Sequence, residues 1–155
     1  MKLLLNSFDK QLAQLHARSC ELVKRIPPQK LYRQPQPSFQ TFSCAEYILR
    51  SAGQVEQSFG GITAKLWDDP FEWTLPEELS TGEKILEYLA EVEATRKRGF
   101  KFFTSDEDLR REIPAPEKMR TIFEILLETV ARAEHLQGRA FAVYQAFSDE
   151  KLPFL

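Results

Sequence analysis

The chain has 155 residues, of which 43% are hydrophobic and 28% charged, and we predict a single globular domain over residues 1–155. Its formal net charge of -2 excludes a general attraction to nucleic acid or to an anionic membrane. The apolar run at residues 3–5 is too short for a signal peptide or a membrane span, which predicts a cytoplasmic protein with no membrane partner. Cys20 and Cys44 lack metal-type spacing and are predicted to be reduced core thiols.

Apolar residues at helical spacing predict four long helices, and the first two have clear boundaries. The first runs from Ser7, its predicted N-cap, to Ile26, and Pro27-Pro28 stop it. The second begins at a capping box, Ser43-Cys44-Ala45-Glu46, in which Ser43 and Glu46 each satisfy the other's backbone amide. Gly60-Gly61 either ends or weakens this helix.

The two later helices complete the predicted fold. The third begins at Ser80-Thr81-Gly82-Glu83, which has the pattern of a second capping box, and continues toward Phe100. The fourth begins near Pro116, a good first-turn residue, and carries heptad-like apolar spacing from Met119 to Phe147. Because no segment alternates like a strand for long, we predict an all-α four-helix bundle with long crossover loops at 27–42 and 61–79.

His135, late in the fourth helix, is the first candidate site residue. A metal-binding helix normally offers a second imidazole one turn away, and here that position is Ala131. One interpretation is a solvated polar face with an incidental histidine. The other makes His135 a metal ligand or general base, with Glu128 or Glu134 nearby. The only other histidine, His16, is predicted to be partly buried and hydrogen-bonded in its own helix.

An aromatic and acidic segment at residues 67–76 is the second candidate. It contains Trp67, Phe71 and Trp73 beside Asp68 and Asp69. Large rigid aromatics of this kind suit a pocket wall over one end of a bundle, and they equally suit a crossover loop that they hold in place. The two adjacent aspartates point different ways and make a weak acid/base or metal pair.

A basic run at the end of the third helix is the third candidate. Arg96-Lys97-Arg98 and Lys101 precede Phe102-Phe103, an interleaving seen in nucleic-acid sites. Basic residues at a helix C-terminus are also expected from the helix dipole alone. We therefore predict a solvated helix end rather than nucleic-acid binding.

Two segments resemble a known superfamily. The capped second helix, from Glu46-Tyr47-Ile48-Leu49-Arg50 to Gln54-Val55-Glu56, and the last helix, with His135 before Gly138-Arg139, resemble DinB-like proteins, which include the YfiT-type metal-dependent hydrolases. The resemblance implies a four-helix bundle, often a homodimer, with a divalent metal at one end. It also implies ligands consisting of one histidine from the second helix and two, four residues apart, from the last.

The chain departs from that ligand pattern. The second-helix histidine would fall near Arg50 or Ser51, and the first of the late pair falls on Ala131, so that only His135 corresponds. One imidazole cannot hold a catalytic metal alone. We therefore predict a small-molecule-binding or interaction protein without the three-histidine site.

The alternative is a metal-dependent hydrolase or thiol transferase with an altered site that binds zinc or nickel through His135. Gln54, Glu56 and Glu134 are then the candidate oxygen ligands. A homodimer is predicted from the resemblance and from apolar residues on more than one side of the last helix, which are Ile125, Leu136 and Val143.

Overall fold

A computed structural model describes residues 1–35, 41–149 and 152 of the chain. These residues form four α-helices: α1 (Leu3–Arg25), α2 (Cys44–Ala64), α3 (Gly82–Phe100) and α4 (Ile122–Gln145). A two-stranded antiparallel sheet, β1 (Glu112–Pro114) and β2 (Met119–Thr121), precedes α4, and three short 3₁₀ helices lie at Pro28–Lys30, Pro70–Glu72 and Asp106–Arg110. The predicted all-α class is confirmed. None of the described helices is both long and apolar enough to span a membrane.

The helix α2 lies at the centre of the packing. Its most extensive contacts are with α4 and then α3, while α1 packs against α3 and α4 and barely touches α2. The predicted apolar faces form one buried cluster, which includes Leu12, Leu22, Ile48, Phe59, Ile85, Leu89, Leu126 and Ala140. Ile125 and Val143 are also buried in this cluster, so these two side chains are not free for the subunit contact to which we assigned them.

The start of α1 differs from the prediction. The helix begins at Leu3 rather than after Ser7, and the Ser7 hydroxyl donates back to the Leu3 carbonyl within the first turn. The carboxylate of Asp106 accepts hydrogen bonds from the amides of Leu4 and Leu5, each at 3.0 Å. The first-turn amides, which have no partner within the helix, are therefore capped by a segment about 100 residues later, which no local pattern reveals.

The boundaries of α2 and α3 were predicted with mixed success. The capping box of Ser43 and Glu46 is confirmed, with both reciprocal hydrogen bonds formed. Gly60-Gly61 do not end α2, which continues to Ala64 and stops at Lys65 in the left-handed conformation (φ 58°). The N-cap of α3 is Thr81, whose hydroxyl accepts from the Lys84 amide, and not Ser80.

The prediction for the start of α4 is wrong. Residues 112–121 form a hairpin in which Ile113 faces Arg120, and Pro116 lies in its turn. The helix begins only after Thr121, which forms a capping box with Glu124. Each strand has three residues, too few for a visible alternation, and a proline suits a turn as well as a helix start.

The long connections were predicted in the right regions. The loop at 27–42 contains residues 36–40, which lie outside the described residues. In its first part, the carbonyl of Leu31 accepts a hydrogen bond from the Ala45 amide of α2 at 2.9 Å. The second connection begins after Ala64, and its 3₁₀ helix Pro70–Glu72 packs against α2.

Candidate functional site

Two adjoining clefts run along α2. The first, here called the hairpin cleft, has a volume of about 440 Å³ and lies between α2, α4 and the turn of the hairpin. The second, here called the aromatic cleft, has a volume of about 340 Å³ and lies between α2, α4 and the 67–73 segment. Gln54 and Gln57 line both clefts. The aromatic cleft is lined otherwise by Phe42, Arg50, Gly53, Asp69, Pro70, Phe71 and Leu136.

Trp67 forms a wall of the hairpin cleft. Its indole N–H donates to the Pro114 carbonyl at 3.0 Å, and its own carbonyl accepts from the Gln57 side chain at 3.2 Å. Its ring lies directly against Gly61 of α2. Because Gly61 has no side chain, the indole of Trp67 can lie against α2 and connect the hairpin to this helix.

Phe71 and Trp73, the other predicted pocket residues, are placed differently from each other. Phe71 lines the aromatic cleft, and its amide is bound by the carboxylate of Asp69 at 2.9 Å. Trp73 is 44% exposed and lies near Glu56 on the α3 side of α2. The segment therefore supplies one aromatic wall to each cleft, through Trp67 and Phe71.

Arg50, which the sequence indicated only as a position where the family's histidine would fall, lines the aromatic cleft. The guanidinium carbon lies 3.8 Å from the ring centroids of both Phe42 and Phe71, so an aromatic ring stacks on it from two sides. Its Nε is buried and has no hydrogen-bond partner among the described residues. No sequence signal links positions 42, 50 and 71, because three separate segments meet there.

Several charged side chains of the hairpin cleft are engaged by neighbouring groups. Glu128 forms ion pairs with both Arg120 of β2 and Arg132 of α4, each at 2.5 Å. Glu124 caps α4, and the N–H of Thr121 holds the pKa of its carboxyl below the usual range. These groups are occupied in holding the hairpin and α4 together.

The donor set does not fit the three-ligand metal centre that the resemblance implies. Ser51 is fully buried and donates to the Ala133 carbonyl at 2.8 Å, while Ala131 is exposed. His135 is exposed too, and its Nε2 accepts a hydrogen bond from Arg139 at 3.0 Å. Across residues 1–35, 41–149 and 152, no three His, Cys, Asp or Glu side chains are grouped so as to hold a metal ion. The described residues therefore do not provide such a centre, and a role for His135 stays a prediction.

The carboxylates named with His135 lie elsewhere. Glu134 forms an ion pair with Arg18 of α1. Glu56 accepts a hydrogen bond from the Tyr88 hydroxyl of α3, and burial raises the pKa of its carboxyl. Neither lines the two clefts, so the geometry does not bring them together with His135.

The basic run is not a continuous surface. Arg96 is buried and forms ion pairs with Glu93 and Asp9, which contradicts its assignment to a solvated helix end. Lys97 and Arg98 are exposed as predicted, and so is Lys101. Of the two following phenylalanines, Phe102 is exposed and Phe103 is buried.

His16 and the two cysteines are core-associated. His16 is half-buried beside the Cys20 sulfur (3.5 Å), which agrees with its predicted environment, and burial lowers the pKa of its imidazole. Burial likewise raises the pKa of the Cys20 thiol, and that of the fully buried Cys44 thiol still more. Both cysteines are free thiols.

No protein-family model matches the chain, and neither the curated proteins nor the solved structures give a match. The DinB-like resemblance, which the second and last helices and the order of the helices suggest, stays a prediction.

Proposed function

We propose that the protein binds a small organic molecule in the two clefts along α2. The observation that carries this proposal is the pair of adjoining cavities of about 440 and 340 Å³, joined at Gln54 and Gln57. Volumes of this order suit small ligands, and the aromatic cleft has the usual composition of such sites, a few polar groups within apolar and aromatic walls. The hairpin cleft adds mainly polar and charged groups.

Binding is a better account of these clefts than catalysis. The described lining residues include neither histidine nor cysteine, and of their carboxylates Glu124, Glu128 and Asp69 are bound to the backbone or to arginines, which leaves Glu117 at the hairpin turn. A general base needs an accessible acceptor near the ligand, and a nucleophile needs such a base beside it. The clefts offer hydrogen-bond donors and aromatic surface, which recognise a ligand without transforming it.

The finer fold assignment belongs to the same proposal. We propose that the four helices form a DinB-like bundle in which the ligand cleft lies beside the position of the family's metal. We also propose a homodimer, for which Phe123 and Leu127 on α4 provide exposed apolar surface. Light scattering tests the dimer, and a monomeric mass at high protein concentration contradicts it.

A screen of small polar and aromatic compounds by NMR of isotope-labelled protein tests the binding proposal. The reporters are the indole N–H of Trp67 and the side-chain amides of Gln54 and Gln57. We expect compounds that shift all three signals in a saturable manner. If no compound in a broad collection does so, the proposal fails.

A matched pair of glutamine variants locates the site. Gln54→Leu removes the amide at the junction of the clefts, whereas Gln14→Leu changes an exposed glutamine of α1. We expect the first to weaken binding of every hit by about tenfold and the second to leave it unchanged. Equal effects of both variants would place the hits elsewhere on the protein.

A further inference from the structure

We propose that Arg50 and Gln54 form a carboxylate-binding site in the aromatic cleft, and that the ligand is a small carboxylate with an apolar body. This inference rests on the proposed function and names its ligand class. The two residues are one helical turn apart on α2 and line the same cleft. The site thus belongs to one rigid helix face.

The guanidinium of Arg50 has no directly bound counterion among the described residues. The rings of Phe42 and Phe71 cover both faces of the guanidinium, each at 3.8 Å, so that a further partner must approach its edge. No ion pair or hydrogen bond to Arg50 is formed within the part of the chain that the structure describes, and its Nε is buried. A buried donor in a native protein normally has an acceptor, and the planar guanidinium matches a carboxylate best.

Gln54 supplies a second unused donor. Its side-chain amide makes no hydrogen bond to the described residues, whereas the amide of Gln57 is engaged by the Trp67 carbonyl. An amide N–H beside a guanidinium edge adds a neutral donor to a charged one. Together they provide donors for both oxygens of a carboxylate.

The charge and surface of the cleft select among anions. Asp69 is the other charged residue among the described lining residues, so the cleft has no net charge before a ligand binds. A single negative charge is therefore accommodated more easily than the double charge of phosphate. Apolar surface from Pro70 and Leu136, together with the two rings, suits an apolar substituent on the ligand.

Both rings are held in place before any ligand binds. Phe42 packs edge-to-face on Tyr47 at 5.5 Å, and the Tyr47 hydroxyl is hydrogen-bonded to Thr41 at 2.6 Å. Phe71 is fixed by the carboxylate of Asp69, which caps its short helix. A preorganised guanidinium loses little conformational freedom on binding. Because that cost is small, we expect even a simple carboxylate to bind measurably, and such compounds can serve as test ligands.

Titration of phenylacetate into isotope-labelled protein tests the site, with the Arg50 Nε–H resonance as the reporter. We expect a saturable shift of this resonance with phenylacetate. Phenylacetamide has the same shape without the charge, and inorganic phosphate has charge without the apolar body. We expect both to bind at least about tenfold more weakly at matched ionic strength. A shift that is equal for all three compounds, or absent with phenylacetate, overturns the proposal.

Arg50 variants provide a second readout. Arg50→Gln is expected to abolish saturable phenylacetate binding, and Arg50→Lys, which retains charge but not the planar fork, to weaken it about tenfold. Arg110→Gln, at an exposed arginine paired with Glu107, is the control and should bind as the wild type does. If Arg50→Gln does not fold, the wild-type titration and the Lys variant still decide the question. Unchanged binding in Arg50→Lys contradicts the assigned geometry.

The two proposals fail in different ways. If compounds bind at Trp67, Gln54 and Gln57 but the Arg50 resonance never moves, the clefts are a binding site and the carboxylate assignment is wrong. If neither the collection nor phenylacetate shifts any of these signals, the proposed function itself is wrong.

Discussion

The indole ring of Trp67 occupies the space that a side chain at Gly61 would need. A Cβ built on Gly61 would lie 2.3 Å from Cε2 of Trp67, and one on the preceding Gly60 would lie 2.8 Å from the Leu66 carbonyl oxygen. The chain after α2 turns back at Lys65 and lays Trp67 on the helix it has just left. The two glycines therefore serve this close approach and do not end the helix.

Gly61→Ala is expected to destabilise the protein and to displace Trp67. Alanine favours the helix by about 1 kcal/mol, but overlap with a rigid ring costs about 1–3 kcal/mol. We expect a net loss of up to about 2 kcal/mol in the free energy of unfolding, measured in urea. In a Trp73→Phe background, emission from Trp67 should move to longer wavelength. Raised stability with unchanged emission would contradict this contact.

Gly138→Ala is expected to have the opposite effect. Gly138 is exposed in α4, and an added Cβ meets no atom within 4 Å. Only the helix propensity changes, so the free energy of unfolding should rise by about 0.5–1 kcal/mol. The same urea titration measures it. A loss of stability would mean that this part of α4 contacts something beyond the described residues.

Asp106→Asn is expected to release the first turn of α1. Desolvation alone would raise the pKa of the Asp106 carboxyl. The hydrogen bonds from the amides of Leu4 and Leu5, together with the charged N-terminus, outweigh this effect and lower the pKa. Its contribution to stability is therefore present above the unfolded-state pKa and is lost as the pH falls through the lower, folded-state value. Hydrogen exchange of Leu4 and Leu5 should accelerate at neutral pH in the variant.

In the wild type, the protection of the Leu4 and Leu5 amides, measured relative to their intrinsic exchange rates, should be lost only in acid. Asp68→Asn, at an exposed aspartate of the 67–73 segment, is the matched control and should exchange normally. Protection of Leu4 and Leu5 that persists in Asp106→Asn would show that the long-range cap does not hold α1.

Arg96→Met is expected to be strongly destabilising. The substitution leaves Glu93, a largely buried carboxylate, without its bidentate partner. Breaking a buried ion pair costs about 3–5 kcal/mol, and we expect a smaller loss of stability here because Asp9, the other partner of Arg96, is half exposed. Burial already raises the pKa of the Glu93 carboxyl, so protonation should relieve part of the loss. The destabilisation in urea should thus be smaller at acidic than at neutral pH. Arg98→Met, at an exposed site, should change stability little.

Neither cysteine is expected to react quickly in the folded protein. Burial raises the pKa of both the Cys20 and the Cys44 thiol, and the thiolate is the reactive form. Alkylation with iodoacetamide near neutral pH, followed by mass spectrometry, should modify both cysteines in urea and neither rapidly in buffer. Fast modification of Cys20 in buffer would contradict this prediction and would favour the alternative of a thiol transferase.

Local sequence patterns predicted the features that depend on neighbours in the chain. The apolar stripes of α1 to α3 became the core because a period near 3.6 residues places them on one helix face. The box of Ser43 and Glu46 was predictable because both of its hydrogen bonds join residues three apart. The sequence predicted the aromatic segment as a pocket wall. It did not show that Trp67 lines the hairpin cleft and Phe71 the aromatic cleft.

The sequence by itself determined the all-α class, the buried faces of the helices and the start of α2 at the capping box of Ser43, since these follow from periodicity and short-range hydrogen bonds. Only the tertiary structure decided the cap of α1 by Asp106, the hairpin before α4 and the aromatic stacking on Arg50. The cap and the stacking join segments distant in sequence, which meet only because the helices pack together. The hairpin is local, but its strands of three residues are too short to show an alternation. The cleft is a product of that packing, which no local pattern contains.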